Sequence, residues 1–124
     1  NGEVVDANQT MICVCNGRYY GGGFYAMPDA DPSDGLLDVL LVNQVSRLQV
    51  AGVVGKYKAG RYKELGHIAT YYQTDSITIH CDKVTPINLD GELRMAREIE
   101  MQVAKQKIRF FYPKGLTWQN EKNI

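Results

Sequence analysis

The chain has no excess of charge of either sign: Lys+Arg and Asp+Glu each total 14, for a formal net charge of zero over 124 residues. The basic footprint that nucleic acid demands is therefore absent over the whole chain. A local patch for a lipid or a small molecule stays open. Long hydrophobic runs are also missing. Short runs such as Val39–Val42 are far short of the ~20 apolar residues of a membrane-spanning helix. No basic segment followed by an apolar one stands at the start, so no secretory signal is expected. The chain opens on Asn1-Gly2 without an initiator Met, as a stretch from inside a longer protein would.

Histidine is scarce. His67 and His80 have no Ser or Cys beside them in a nucleophile motif, and His80 falls on the polar face of its segment, as a solvent-facing histidine does. No glycine-rich loop leads into a helix through Lys-Ser or Lys-Thr, which excludes a P-loop. Cysteine is scarce and odd in number: Cys13, Cys15 and Cys81. No second pair or histidine stands at zinc-ligand spacing. Cys13 and Cys15, two apart in an apolar run, are expected on one strand face as small buried hydrophobes. Reduced thiols point to the cytosol.

What is present is an ordinary globular composition, 44% hydrophobic and 23% charged, of a length that makes one domain with a real core. Thr10–Cys15 is apolar on both faces, as a central strand would be. Asn16-Gly17 is a hairpin dipeptide, which makes Arg18–Tyr20 the returning strand, with Phe24–Met27 continuing it. Leu36–Val42 is a further apolar strand, interrupted only by Asp38. Ser46–Ala59 is the one helix: Ser46 and Gln49 form a capping box, Val45 and Val50 a hydrophobic staple, and Gly60 a stop. Val50, Val53, Val54 and Tyr57 form its apolar stripe. Lys56, Lys58, Arg61 and Lys63 gather at its end, where they complement the helix dipole better than they argue for an anionic lipid surface. Beyond residue 66 the period is two, at Ile77–Cys81, Glu98–Val103 and Lys107–Tyr112, with a turn at Asp90-Gly91. Many short strands and one helix indicate an all-β fold, a β-sandwich with one short helix over residues 1–118, and a polar tail at 119–124.

The chemistry-bearing candidates are acidic turns. Three consecutive glycines, Gly21 to Gly23, imply a backbone that bends sharply or lies close against something else. The aspartates that follow, Asp29, Asp31, Asp34 and Asp38, bring carboxylates and loop carbonyls together. Asp34-Gly35 is explained as a turn. As a site, the Asp34 carboxylate with the carbonyls of Asp31 and Leu36 suits a hard cation such as Mg²⁺. Asp90-Gly91 is equally explained as a hairpin turn. As a site, Asp90 and Glu92 are two carboxylates on a stiff turn, one to accept a proton and one to orient or meet a metal.

The order of these elements resembles the C-terminal domain of bacterial diacylglycerol kinase-like lipid kinases, the broader family of sphingosine and ceramide kinases. The residues that carry it run from Asn16-Gly17 and Tyr19-Tyr20-Gly21-Gly22-Gly23 through Pro28, Ala30 and Asp34-Gly35-Leu36-Leu37-Asp38-Val39 to Asn88 and Leu89-Asp90-Gly91-Glu92, over about residues 7 to 116. The resemblance implies one half of a two-domain, ATP-dependent phosphotransferase. ATP, the co-substrate, would be bound by an N-terminal nucleotide-binding domain whose Gly-Gly-Asp-Gly-Thr motif is absent from this sequence. By likeness, Glu92 matches the general base for the lipid hydroxyl and Asp90 the neighbouring acid. Asp31, Asp34 and Leu36 match a loop magnesium. The family often has an apolar residue where Asp31 stands, a change that a backbone ligand tolerates. The resemblance further implies a lipid substrate, the nucleotide-binding domain and a transient membrane surface as partners, and a cytoplasmic protein peripheral to the membrane. No nucleic-acid partner is expected, and an oligomer stays open. The rival readings are a non-catalytic β-sandwich that binds a ligand or partner, and a kinase of a soluble acceptor such as NAD.

Overall fold

The computed structural model describes residues 2–115; the expected polar tail at 119–124 lies outside them. The elements are β1 (Gln9–Cys15), β2 (Leu37–Asn43), α1 (Arg47–Lys58), a 3-10 segment (Tyr62–Ile68), β3 (Ala69–Thr74), β4 (Ser76–Leu89) and β5 (Glu92–Gln102). The fold is mainly β, as the sequence predicts.

The first sheet is antiparallel in the order β1-β2-β3. This differs from the sequence reading in two ways. Asn16-Gly17 does not return the chain as a strand at Arg18–Tyr20; β1 pairs instead with β2, Cys13 opposite Leu40 and Cys15 opposite Asp38. The central strand is therefore β2, and β1 is an edge. Burial explains the exchange. Every residue from Leu37 to Val42 is buried, whereas β1 leaves Ile12 37% exposed. A strand covered on both faces belongs in the middle.

The helix forms where its caps place it. Ser46 is the N-cap, and the Gln49 Oε1 accepts from both the Ser46 N–H at 3.0 Å and its hydroxyl at 2.8 Å. Its apolar stripe is narrower than the spacing predicts: Val53 and Tyr57 are buried, while Val50 and Val54 stay largely exposed. Gly60 ends the helix at φ +72°, where an added Cβ would meet Tyr25 at 2.9 Å. Val53 and Tyr57 pack with Leu40, Val42, Tyr62, Leu65 and three loop residues, Ala26, Met27 and Ala30.

β4 and β5 pair into a long antiparallel ribbon closed by a two-residue turn, Leu89 opposite Glu92. The expected strand at Glu98–Val103 is the end of β5. The expected strand at Lys107–Tyr112 is not formed: the segment pairs with nothing as a strand among the described residues, and Ile108, Phe110 and Tyr112 are each more than two-thirds exposed. An alternating pattern makes a strand only where a neighbour accepts its hydrogen bonds.

Candidate functional site

The long connection between β1 and β2 is pinned rather than loose. Buried Arg18 donates from Nε to the Ala30 carbonyl at 3.0 Å. Gly21, Gly22 and Gly23 all have positive φ and close a tight turn in which Tyr20 and Phe24 exchange backbone hydrogen bonds at 3.1 and 3.0 Å. Their rings stack at 5.3 Å. Around Gly22 and Gly23 an added Cβ would meet nothing within 4 Å. The glycines thus serve the bend, not a close approach.

The acidic turn follows. The Asp34 N–H donates to the Asp31 carbonyl at 3.2 Å, and the Asp34 carboxylate accepts from the Leu36 N–H at 2.8 Å. The Asp31 carboxylate accepts from the Ser33 N–H at 2.9 Å and its hydroxyl at 2.6 Å. Asp34 is exposed. Among the described residues, no group of three or more His, Cys, Asp or Glu side chains is placed to hold a metal ion. One carboxylate with backbone carbonyls and water is nonetheless an all-oxygen set of the kind Mg²⁺ takes. The donors present fit the ion.

The sequence counts Asp38 among four clustered aspartates and as the interruption of a strand; its burial as a carboxylate within the sheet is what sequence reasoning misses. It is fully buried in β2, flanked across the sheet by Cys15 and Gln73. Tyr71 donates a short hydrogen bond to its Oδ1, and Gln73 Nε2 donates to the same oxygen at 3.3 Å. Oδ2 is buried and meets no hydrogen-bond partner among the described residues. Burial pushes this carboxyl above its ordinary range, against the Tyr71 and Gln73 donors, and the charges of Asp34 and Asp29 push it the same way. Asp29 in turn accepts from the Tyr62 hydroxyl at 2.8 Å and pairs with Lys63 at 2.6 Å. The signal for Asp38 was a carboxylate alone in an unbroken apolar strand. Its partners lie more than thirty residues away, beyond any local pattern.

At the ribbon's tip, Asp90 has φ +50° and Gly91 φ +101°, the left-handed pair a two-residue hairpin turn requires. Asn88 Oδ1 accepts from the Gly91 N–H at 2.7 Å and locks the turn. Glu92 is exposed and ion-paired with Arg94 at 2.7 Å. Asp34 and Asp29 act electrostatically on Asp38, while Asp38 and Asp90 both raise the Cys15 thiol. Glu92, paired outward, is tied to this set only through its place beside Asp90.

The cations after α1 are occupied within the chain. Arg61 pairs with Glu64 at 2.7 Å, Lys63 with Asp29, and Lys56 donates to the Glu64 carbonyl at 3.2 Å. Lys58 sits 5.2 Å from the Phe24 ring centre. Their role in the structure is local. No helix among the described residues is long and apolar enough to cross a membrane.

A family model described as a YegS C-terminal NAD kinase beta sandwich-like domain matches residues 1–112. A Stenotrophomonas maltophilia protein named "Probable lipid kinase YegS-like" is 31% identical over 82% of the chain and 33% of its own length. A Shewanella frigidimarina protein of the same name is 27% identical over 91% of the chain and 34% of its length. A Mycobacterium tuberculosis protein named "Diacylglycerol kinase" is 26% identical over 90% of the chain and 36% of its length. The chain spans about a third of the length of these relatives.

Proposed function

The chain belongs to the family of YegS C-terminal NAD kinase beta sandwich-like domains, and from that premise we propose that it is the acceptor-side domain of an ATP-dependent lipid kinase. The whole enzyme transfers the γ-phosphoryl group of ATP to the hydroxyl of a diacylglycerol-like lipid. The nucleotide is held by a separate N-terminal domain, so this chain alone is inactive. The relatives' names supply the reaction class. The observation that carries the residue assignment is the locked turn at Asp90-Gly91, which fixes two carboxylates at the exposed tip of a ribbon.

Phosphoryl transfer goes through a loose transition state, so positioning and charge neutralisation supply most of the acceleration. Glu92 orients the acceptor hydroxyl and receives its proton as the new O–P bond forms. Arg94 holds the Glu92 carboxylate in place for that role. Asp90, the neighbouring acid, would help arrange a Mg²⁺ ion, whose charge would offset that of the transferring phosphoryl group. Asp34, with the carbonyls of Asp31 and Leu36, would hold a Mg²⁺ ion whose charge would offset that of the acidic loop. The acceptor is a membrane lipid, which places the enzyme in the cytoplasm at a membrane surface.

The test uses the full-length protein, labelled ATP and a panel of lipids with NAD included. Glu92→Gln should lower kcat by about 10²–10⁴-fold, the usual contribution of a general base. Unchanged turnover sinks the assignment of Glu92, and label passing to NAD instead of lipid replaces the substrate class.

A further inference from the structure

β1 puts two thiols on the sheet face that packs against the core. The Sγ atoms of Cys13 and Cys15 are 3.4 Å apart, and the Tyr57 hydroxyl of α1 lies 2.6 Å from the Cys13 sulfur. Both cysteines are reduced and half-buried, not sealed in the interior. The expected description as buried hydrophobes is therefore incomplete. Lipid phosphorylation uses neither.

Their surroundings divide the pair into two roles. A thiolate at Cys13 accepts from the Cys15 S–H and the Tyr57 O–H. The hydrogen bond from Cys15 is the stronger influence, burial opposes it, and the balance brings Cys13 down to about 7. Cys15 is driven the other way by its bond to Cys13, by burial and by the charges of Cys13, Asp38 and Asp90. Two donors on one sulfur and a protonated thiol in contact with it are the parts of a reactive cysteine with its resolving partner.

We propose that Cys13 and Cys15 are an oxidisable dithiol, with Cys13 the nucleophile toward hydroperoxides and Cys15 the thiol that closes a disulfide with it. In the first step the Cys13 sulfur attacks the peroxide; the O–O bond breaks, an S–O bond forms, and the alcohol (water, for hydrogen peroxide) leaves with a proton. In the second, the Cys15 sulfur attacks the Cys13 sulfenic acid; the S–O bond breaks, the S–S bond forms, and water leaves with the Cys15 proton. Two thiols are oxidised by two electrons, and one hydroperoxide is reduced to alcohol and water. Cysteines two apart on a strand can be bridged only by puckering the backbone between them, because a disulfide holds its Cβ atoms at about 3.5–4.5 Å. β1 is an edge strand and can pucker. The residues it faces are Leu40 and Asp38, so oxidation acts on the row that contains the buried carboxylate.

The full-length protein carries the test, read by peptide mass spectrometry. Iodoacetamide at neutral pH should alkylate Cys13 at least ~10-fold faster than Cys81 of the ribbon, and Tyr57→Phe should narrow that ratio. Hydrogen peroxide should produce a peptide with an internal Cys13–Cys15 disulfide, reopened by dithiothreitol. In Cys15→Ala, dimedone should trap a sulfenic acid at Cys13, and in Cys13→Ala it should label Cys15 weakly. Equal alkylation of Cys13 and Cys81, a disulfide only between chains, or a wild type in which dimedone captures Cys13 and no internal disulfide forms would each overturn the proposal. The wild-type measurements need no variant to fold.

Discussion

The three-stranded lobe and the β4–β5 ribbon are built on opposite terms. Every buried residue among those described lies in the lobe, from Arg18 to Leu65, and the ribbon has none. The lobe is held by apolar burial around Leu40, Val42, Val53 and Tyr57. The ribbon is held by its own backbone ladder and by the turn that Asn88 locks. Yet the ribbon carries the proposed base, and the lobe carries the loop and the buried carboxylate. Stability and acceptor chemistry are thus assigned to different regions.

The largest test of this division compares one large apolar residue from each region. Leu40→Ala removes a fully buried side chain and should cost about 2–5 kcal/mol in urea unfolding. Leu93→Ala, 69% exposed in β5, should cost less than ~0.5 kcal/mol. A comparable loss from Leu93 would mean that the ribbon's apolar face is covered in the full-length protein. The comparison would then have to be redrawn.

Glycines of the lobe sharpen the same point at a smaller scale. Gly60→Ala combines positive φ with a contact at 2.9 Å to Tyr25, ring and carbonyl both. It should cost about 2–4 kcal/mol, the left-handed backbone and overpacking together. Gly22→Ala has the φ and no neighbour within 4 Å, so it should cost about 1–2 kcal/mol. Equal losses would show that space plays no part at Gly60.

What the sequence disclosed of these regions follows the range of the interactions. Ser46 and Gln49 announce α1, and Asp90-Gly91 announces the ribbon turn, because each works through partners within a few residues. Long-range pairing leaves no such mark. Nothing in Arg18–Tyr20 says that β1 will pair with a strand beyond a long connection, and nothing in Lys107–Tyr112 says that its alternation will find no strand partner among the described residues. Asp38 was legible as an oddity but not as a site, since Tyr71 and Gln73 reach it from β3. The acidic turns were legible as turns. Their assignment to chemistry came from the resemblance, not from their spacing.

Asp38 allows a pH test of the lobe alone. Its carboxyl is raised on folding, chiefly by burial. A raised group favours the folded state fully below its unfolded pKa, and that contribution fades as pH rises through the folded one. Urea midpoints of the wild type should therefore fall as pH climbs through and above the carboxylate range. Asp38→Asn should flatten that part of the profile, and its advantage over the wild type should grow toward neutral pH. Parallel profiles for the two proteins would show that Asp38 does not carry a charge cost in the fold.

The smallest expected effect on stability is the most informative about the ribbon. Arg94 and Glu92 form a pair with both side chains well exposed, 64% and 71%. Such pairs contribute between nothing and about 1 kcal/mol. Arg94→Ala should accordingly leave the unfolding midpoint nearly where it was. If Glu92 receives the proton, however, the loss of its charged tether should lower kcat several-fold in the full-length enzyme, and Arg94→Lys should recover part of it. Leu40→Ala and Gly60→Ala would do the reverse, moving the midpoint and, once folded, leaving kcat close to wild type. A variant at Arg94 that unfolds the protein, or one that leaves both quantities untouched, breaks the division between a lobe that holds the fold and a ribbon that holds the base.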